Sequence, residues 1–257
     1  MARERGFYTD AIMDEVAAHG SCQGVDGVPV DVQRVFVTAH DITPEWQASY
    51  TYGYFQNIAN ANVETYLRNS AGNPVFSGSV NINGYNYVIP ASAFSGTNGY
   101  YKLNQSQSAQ SVALKSDMGR TWDWEAVYSE VVFDLDAFRS PTAALPTGFN
   151  ASAGSIQALN GTGWSNADVK GIWRPQGANG AHQVSFGAHA DRYKLVSTTS
   201  TTANWGAGDS LATTQLAVGC TSTNALWLQD AWRVTEGTRL TLGLRGEHWR
   251  AYDGQNF

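Results

Sequence analysis

TNALWLQDAWRVTEGTRLTLGLRGEHWRAYDG, residues 223–254, is the stretch on which the reading of the chain turns. Leu240, Leu242 and Leu244 fall on one parity, and Thr241, Gly243, Arg245 and Glu247 on the other. A period of 2 marks a strand with one apolar face. The segment before it repeats the pattern, with Leu226, Leu228, Trp232 and Val234 opposite Gln229 and Arg233. Thr235, Glu236 and Gly237 supply a tight turn, Gly237 being free to take φ > 0. Asp230 breaks the pattern, a carboxylate on the apolar parity.

An ordinary half-buried hairpin would look the same, so the recurrence of the pattern decides. Further strands are predicted at Gln33–His40, Trp46–Phe55, Ser108–Ser116, Trp122 to about Asp136, Gly163–Arg174 and His182–Leu195. In the second, Trp46, Ala48, Tyr50, Tyr52 and Tyr54 alternate against Gln47, Ser49, Thr51 and Gly53. The parity of the Trp122 strand slips near Tyr128 to Val131, which predicts a bulge. With the opening hairpin this makes about eight strands. Their connections are short around 41–45, 117–121, 175–181 and 235–237, and long over roughly 57–107, 137–162 and 196–222. The first long one contains a predicted small hairpin turning at Asn83-Gly84. Short connections on one edge and long ones on the other are the pattern of a transmembrane β-barrel, and a soluble meander has no need of it.

Composition agrees. The 257 residues are 42% hydrophobic but only 15% charged, with 26 glycines, nine tryptophans and twelve tyrosines. That favours β structure over helix or disorder. A net charge of −6 argues against a nucleic-acid partner. No run approaches the ~20 apolar residues of a membrane-spanning helix. The N-terminal MARERGFYTDAIMDEVAAHG lacks the apolar core of a signal peptide. The five histidines show no HExxH or clustered metal spacing, and no nucleophile–base pattern stands out, so neither an enzyme, a metal site nor a cofactor is expected. Trp46, Trp122, Trp124, Trp173 and Trp232 all lie within a few residues of a short turn. If those turns mark one rim, the five form an aromatic girdle, because indole favours the boundary of hydrocarbon and water.

On these residues the chain resembles the β-barrel of a TonB-dependent outer-membrane receptor. ALWLQDAWRVTEGTRLTLGLRGEHWRAYDG (225–254) resembles the Q-D-x-W strand, short turn and L-x-L-G-L-R-x-E strand of those barrels. HQVSFGAHADRYKL (182–195) resembles another strand, and YLRNSAGNPVFSGSVNINGYNY (66–87) a long external loop. The resemblance implies an all-β, antiparallel up-and-down transmembrane β-barrel segment, with periplasmic short turns and extracellular loops. Residues 1–31 form an irregular extracellular-side segment and 32–257 a partial barrel. Family members also carry a signal peptide, a TonB-box segment and a plug before about 22 strands. AYDGQNF at the end does not alternate like a strand, so the expected object is a fragment of a longer receptor.

The implied function is uptake of an iron–siderophore complex or similar nutrient across the bacterial outer membrane. The partners are outer-membrane lipid and that ligand, with TonB and a plug only in a full-length parent. Lys170, Arg174, His189, Asp191, Arg245 and Glu247 would face the lumen, either as plug or ligand contacts or as ordinary lumen-lining polarity, the second being favoured. Tyr85, Tyr87, Tyr100, Tyr101, Trp164 and Trp205 fall in the external loops, where they either capture an amphipathic ligand or anchor loop packing. Cys22 and Cys220 are too far apart for a CxxC motif. Both fall on the external side, so a disulfide between them is the expectation, with two unrelated thiols as the alternative. The competing reading is a soluble all-β ligand- or carbohydrate-binding module, which would bury its apolar parity between two sheets.

Overall fold

The computed structural model describes residues 30–94, 99–116 and 119–257. In chain order the strands are β1 (Val30–Thr43), β2 (Trp46–Ala61), β3 (Gly78–Ile82), β4 (Tyr85–Ile89), β5 (Tyr101–Lys115) and β6 (Trp122–Pro141). There follow β7 (Gly154–Ala158), β8 (Gly163–Trp173), β9 (His182–Thr202), β10 (Thr213–Thr235) and β11 (Thr238–Asn256). Except for the β3–β4 hairpin, they make one antiparallel sheet in the order of the sequence, β1-β2-β5-β6-β7/β8-β9-β10-β11. β7 and β8 run in the same direction and occupy one lane, since both pair with β6 on one side and β9 on the other. The sheet therefore has the eight lanes and the up-and-down order that the periodicity predicts. Among the described residues β1 does not pair with β11, so the sheet is open.

Register places the side chains on two faces. Opposite one another on the first lie Tyr50, Val112, Tyr128, Ala167, Ala190 and Asn224, and below them Ala48, Leu114, Ala126, Val169, Ala188 and Leu226. Leu228 faces Leu244 and Trp232 faces Leu240 on the same side. Among the described residues nothing covers this apolar face: Leu226 is 70% exposed, Leu242 63% and Leu244 77%. Among the described residues no second sheet closes over it, as a soluble sandwich would require. On β2 the apolar run from Trp46 to Tyr54 matches the ~9–11 residues that a strand needs to cross hydrocarbon.

Several boundaries differ from the sequence reading. β1 begins at Val30, inside the segment expected to be irregular; residues 1–29 lie outside the described residues. The long connections shrink to 62–100, 142–153 and 203–212, because β2 runs to Ala61, β5 starts at Tyr101, and β6, β9 and β10 run for 20, 21 and 23 residues. The loop-side parts of β9 and β10 are rich in Ser and Thr, whose backbones pair as well as apolar ones while neither face needs to be oily. Polarity was mistaken for loop. AYDGQNF is likewise a strand, pairing with 217–220 of β10 across a bulge where Asp253 takes φ 55°. The bulge expected near Tyr128 to Val131 is absent, since that stretch pairs without a break. The irregularity sits higher, between Ser106 and Gln107 opposite Leu135 and Phe133, with Asp134 the extra residue. Gly237 makes its turn without a positive φ, whereas Asn83 and Gly84 use φ 52° and 84° in the β3–β4 turn.

The bare apolar face predicts a side-dependent cost for charge. Leu244→Arg is expected to lose about 2–4 kcal/mol of unfolding free energy in lipid vesicles. Thr241→Arg, on the opposite face, is expected to stay within about 0.5 kcal/mol in the same urea titration.

Candidate functional site

Two regions of the sheet concentrate chemistry: the polar face, and the loop end. On the polar face alternate residues of neighbouring strands meet as ion pairs. Lys170 Nζ lies 3.4 Å from Glu125 Oε2 across β8 and β6. His189 Nδ1 lies 2.8 Å from Asp168 Oδ1, and its Nε2 3.5 Å from Asp191 Oδ2. Arg245 Nε donates to Glu247 Oε2 at 3.0 Å along β11. Arg174, just beyond β8, meets Asp123 at 2.5 Å and donates from Nε to Gln183 Oε1 at 3.2 Å. Asp123 is only 1% exposed and the Arg174 side chain 11%, so this pair is withdrawn from water where the others are half-exposed. Higher on the sheet, Asn57 Nδ2 donates to Gln105, and Gln105 Nε2 donates to the buried Asp136 at 2.9 Å.

The structure places all six of the lumen candidates on this one polar face of the sheet. Lys170, Arg174, His189, Asp191, Arg245 and Glu247 all stand in cross-strand or along-strand pairs. Their partners Glu125, Asp168 and Asp123 were missed in the sequence. Register alone could have found them, since Glu125 faces Lys170 and Asp168 faces His189 once the turn lengths are known.

At the short-turn end the tryptophans share the apolar face. Trp122 stacks between Trp124 and Trp173, with ring centroids 6.1 and 5.7 Å away. Phe186 meets Trp122 and Trp124 edge-on. Gly171 makes room for them, because a Cβ there would sit 2.5 Å from the Phe186 ring. Trp232 stacks on His182 at 5.7 Å, and His182 Nδ1 lies 2.7 Å from Asp230 Oδ2. The carboxylate that broke the apolar pattern is thus engaged by a histidine one strand away. Trp46 opens β2 beside the turn at 44–45, where Glu45 pairs with Arg120 of the next short connection at 2.5 Å.

At the other end the three long connections pack on one another. Phe76 meets Phe94 and Phe149 at 5.5 and 5.4 Å, and Tyr100 meets Phe149 and Trp205 at 5.0 and 5.2 Å. Trp205, 8% exposed, donates its indole N–H to Ala151 O at 3.0 Å. Lys102 Nζ lies 5.8 Å from the Trp205 ring and donates to Gly206 O. Leu145 is buried beside this cluster. Of the loop aromatics, Tyr100 and Trp205 are packing anchors, and Tyr101 packs on Phe138 at 4.7 Å. Trp164 is not in a loop but in β8, edge-on to Phe133. Tyr85 and Tyr87, on β4, are 71% and 51% exposed. Cys220 is in β10, where Arg192 Nη2 approaches its sulfur at 3.9 Å. Cys22 lies outside the described residues.

Against known proteins, the architecture is similar to FpvA of P. aeruginosa bound to a heterologous pyoverdine and iron. The TM-score is 0.54 at 14% identity, over 89% of this chain and 32% of that one. The FpvAI–pyocin S2 complex gives a TM-score of 0.53 at the same identity and the same coverage. The likeness is one of fold, an antiparallel meander shared with part of those β-barrel chains. The chain spans about a third of the length of those receptor chains. No family model matches. In sequence, 46 residues are 41% identical to the vitamin B12-dependent ribonucleoside-diphosphate reductases of two Mycobacterium tuberculosis strains. That stretch is 18% of this chain and only 7% and 6% of those enzymes, whereas the fold likeness to transport receptors covers nearly all of it.

Two substitutions test the packing. Asp123→Ala leaves Arg174 charged and buried without its carboxylate, and is expected to cost about 3–5 kcal/mol in denaturant unfolding. Trp205→Ala is expected to cost about 3–5 kcal/mol where its loops unfold with the sheet. In hydrogen exchange it should free amides of 142–153 and 203–212 while sparing those of β10 and β11.

Proposed function

We propose that the chain is part of the barrel of a TonB-dependent receptor in the bacterial outer membrane, serving uptake of an iron–siderophore complex or similar scarce nutrient. One observation carries the reading. An open eight-lane meander leaves an apolar face bare, keeps ion-paired residues on the other face, and gathers its packed loops at one end. A soluble sandwich inverts that arrangement. The likeness of fold to siderophore-receptor chains over 89% of the sequence supports the same reading. In it, Trp46, Trp122, Trp124, Trp173 and Trp232 lie at the periplasmic membrane interface. The ion-paired face lines the lumen.

Transport of this kind makes and breaks no bonds in the ligand, so the residues act by binding and guidance. Tyr85 and Tyr87 present bare rings on a small hairpin, suited to stacking on an amphipathic chelate. The paired lumen groups present alternating charge with little net field. In a full-length parent, a plug would pack there and TonB would supply the energy.

For the vesicle-held full chain and a ferric siderophore as probe, Tyr85→Ala with Tyr87→Ala is expected to weaken binding about 5–100-fold, from ~0.5–1.5 kcal/mol per lost aromatic contact. Unchanged binding would remove the hairpin from the ligand site. A wild-type chain that is monodisperse in plain buffer without detergent would favour the soluble module instead.

A further inference from the structure

Two tryptophans stand apart from the rest. Trp122, Trp124, Trp173 and Trp232 share the apolar face, whereas register puts Trp164 and Trp249 on the polar one. The membrane-interface role proposed for the others therefore does not reach these two. Tyr193 of β9 lies directly opposite Trp164 of β8. One pleat nearer the short turns, Trp249 of β11 faces Thr223 of β10, and Thr223 in turn faces Asp191 of β9. Trp249 is thus two strand spacings from Asp191, roughly 10 Å, and Tyr193 is two residues along the strand from it, roughly 7 Å. All three rings are exposed and the carboxylate is half-exposed. The rings and the carboxylate border one patch, and the positions between them are the short side chains Thr221 and Thr223.

The patch is negative. Asp191 Oδ2 lies 3.5 Å from His189 Nε2, while His189 Nδ1 lies 2.8 Å from Asp168. One imidazole is shared between two carboxylates, so the trio keeps negative charge whether the ring is neutral or protonated. Glu247, across Ala225 from His189, already has Arg245 as its cation. Among the described residues neither row of the patch carries a Lys or Arg on the polar face, from β2 to β11. Lys170 and Arg245 stand two pleats nearer the short turns, roughly 13 Å away along the strands, and each holds a carboxylate. Arg192 and Arg250, next in sequence to Asp191 and Trp249, fall on the opposite face. Exposed ring faces beside such a carboxylate attract an organic cation, the ring quadrupole and the anion acting on the same charge. A bare metal ion finds no set of three ligating side chains among the described residues.

We propose that this patch of β8–β11 binds organic ammonium cations, the ammonium group over Tyr193 and Trp249 and against Asp191, with Trp164 extending the platform for a longer substituent. The inference goes beyond the uptake of an iron chelate and adds a second class of ligand on the polar face. Charge complementarity selects the occupant. A second copy of this chain would bring its own carboxylates to the contact, and a neutral stacking ligand would leave Asp191 unanswered.

The test uses the full chain in a neutral detergent, with choline as probe and 3,3-dimethylbutan-1-ol, the same shape without the charge, as control. Each is titrated by saturation-transfer NMR. Choline is expected to bind about tenfold more tightly than the alcohol or better. Trp249→Leu and Tyr193→Leu should each weaken choline about 3–30-fold through loss of one cation–π contact, with the β-sheet circular dichroism unchanged. Asp191→Asn, which keeps the shape, should weaken choline and leave the alcohol as it was. Equal binding of choline and the alcohol by the wild-type chain would overturn the proposal, as would choline binding that survives both Asp191→Asn and Trp249→Leu. Neutral maltohexaose that displaces choline and still binds Asp191→Asn would assign the rings to a saccharide and overturn it too. Detergent dependence of the chain tests the membrane reading separately, so the two fail independently.

Discussion

Under the membrane placement proposed above, backbone hydrogen bonding in a medium without water constrains this chain more than any side-chain contact does. In hydrocarbon an unpaired N–H or C=O costs several kcal/mol, so a strand that crosses must be paired along both edges. The eight lanes meet that demand internally by running in sequence order, each hydrogen-bonded to its neighbours. Only β1 and β11 keep an open edge among the described residues. Given that order, turn lengths set register, and register decides which side chains share a face. The bare leucines of β10 and β11, the tryptophan stack and the ion pairs of the polar face all follow from it.

The two ends of the sheet are stabilised differently. At the short-turn end, stacked rings on the apolar face and the pairs Glu45–Arg120 and Asp123–Arg174 tie successive hairpins together. At the other end the strands overrun the apolar band by many residues, and Phe76, Tyr100, Phe149 and Trp205 clamp three connections into one body. Among the described residues, the buried apolar side chains Leu145, Ile156 and Trp205 gather at this end, and the middle of the sheet buries only the small Ala225. Under the proposed membrane placement, a midsection that faces oil on one side has no need of a core there.

How much of this was legible in the sequence depended on range. Alternation in 223–254 gave the hairpin and its apolar face without any partner in view, and the recurrence of that pattern gave eight lanes. The overrunning strands were not legible, because Ser- and Thr-rich segments such as 196–202 look the same in a loop and in a strand with two polar faces. The tail 251–256 was hidden for the same reason, its alternation interrupted by the bulge at Asp253. Partnerships across strands were out of reach until register was known. Asp230 breaks the apolar pattern and is a partner of His182; Trp205, which the sequence leaves open between ligand contact and loop anchor, is a buried anchor.

Cysteine accessibility tests the orientation of the faces most directly. With Cys22 and Cys220 replaced by Ser, single substitutions Thr241→Cys, Leu242→Cys, Gly243→Cys and Leu244→Cys would be exposed to a water-soluble maleimide in lipid vesicles. Labelling at 241 and 243 with protection at 242 and 244, lost when the lipid is replaced by denaturant, is the predicted result. Equal labelling at all four positions, or the same protection of 242 and 244 in plain buffer without lipid, would contradict it.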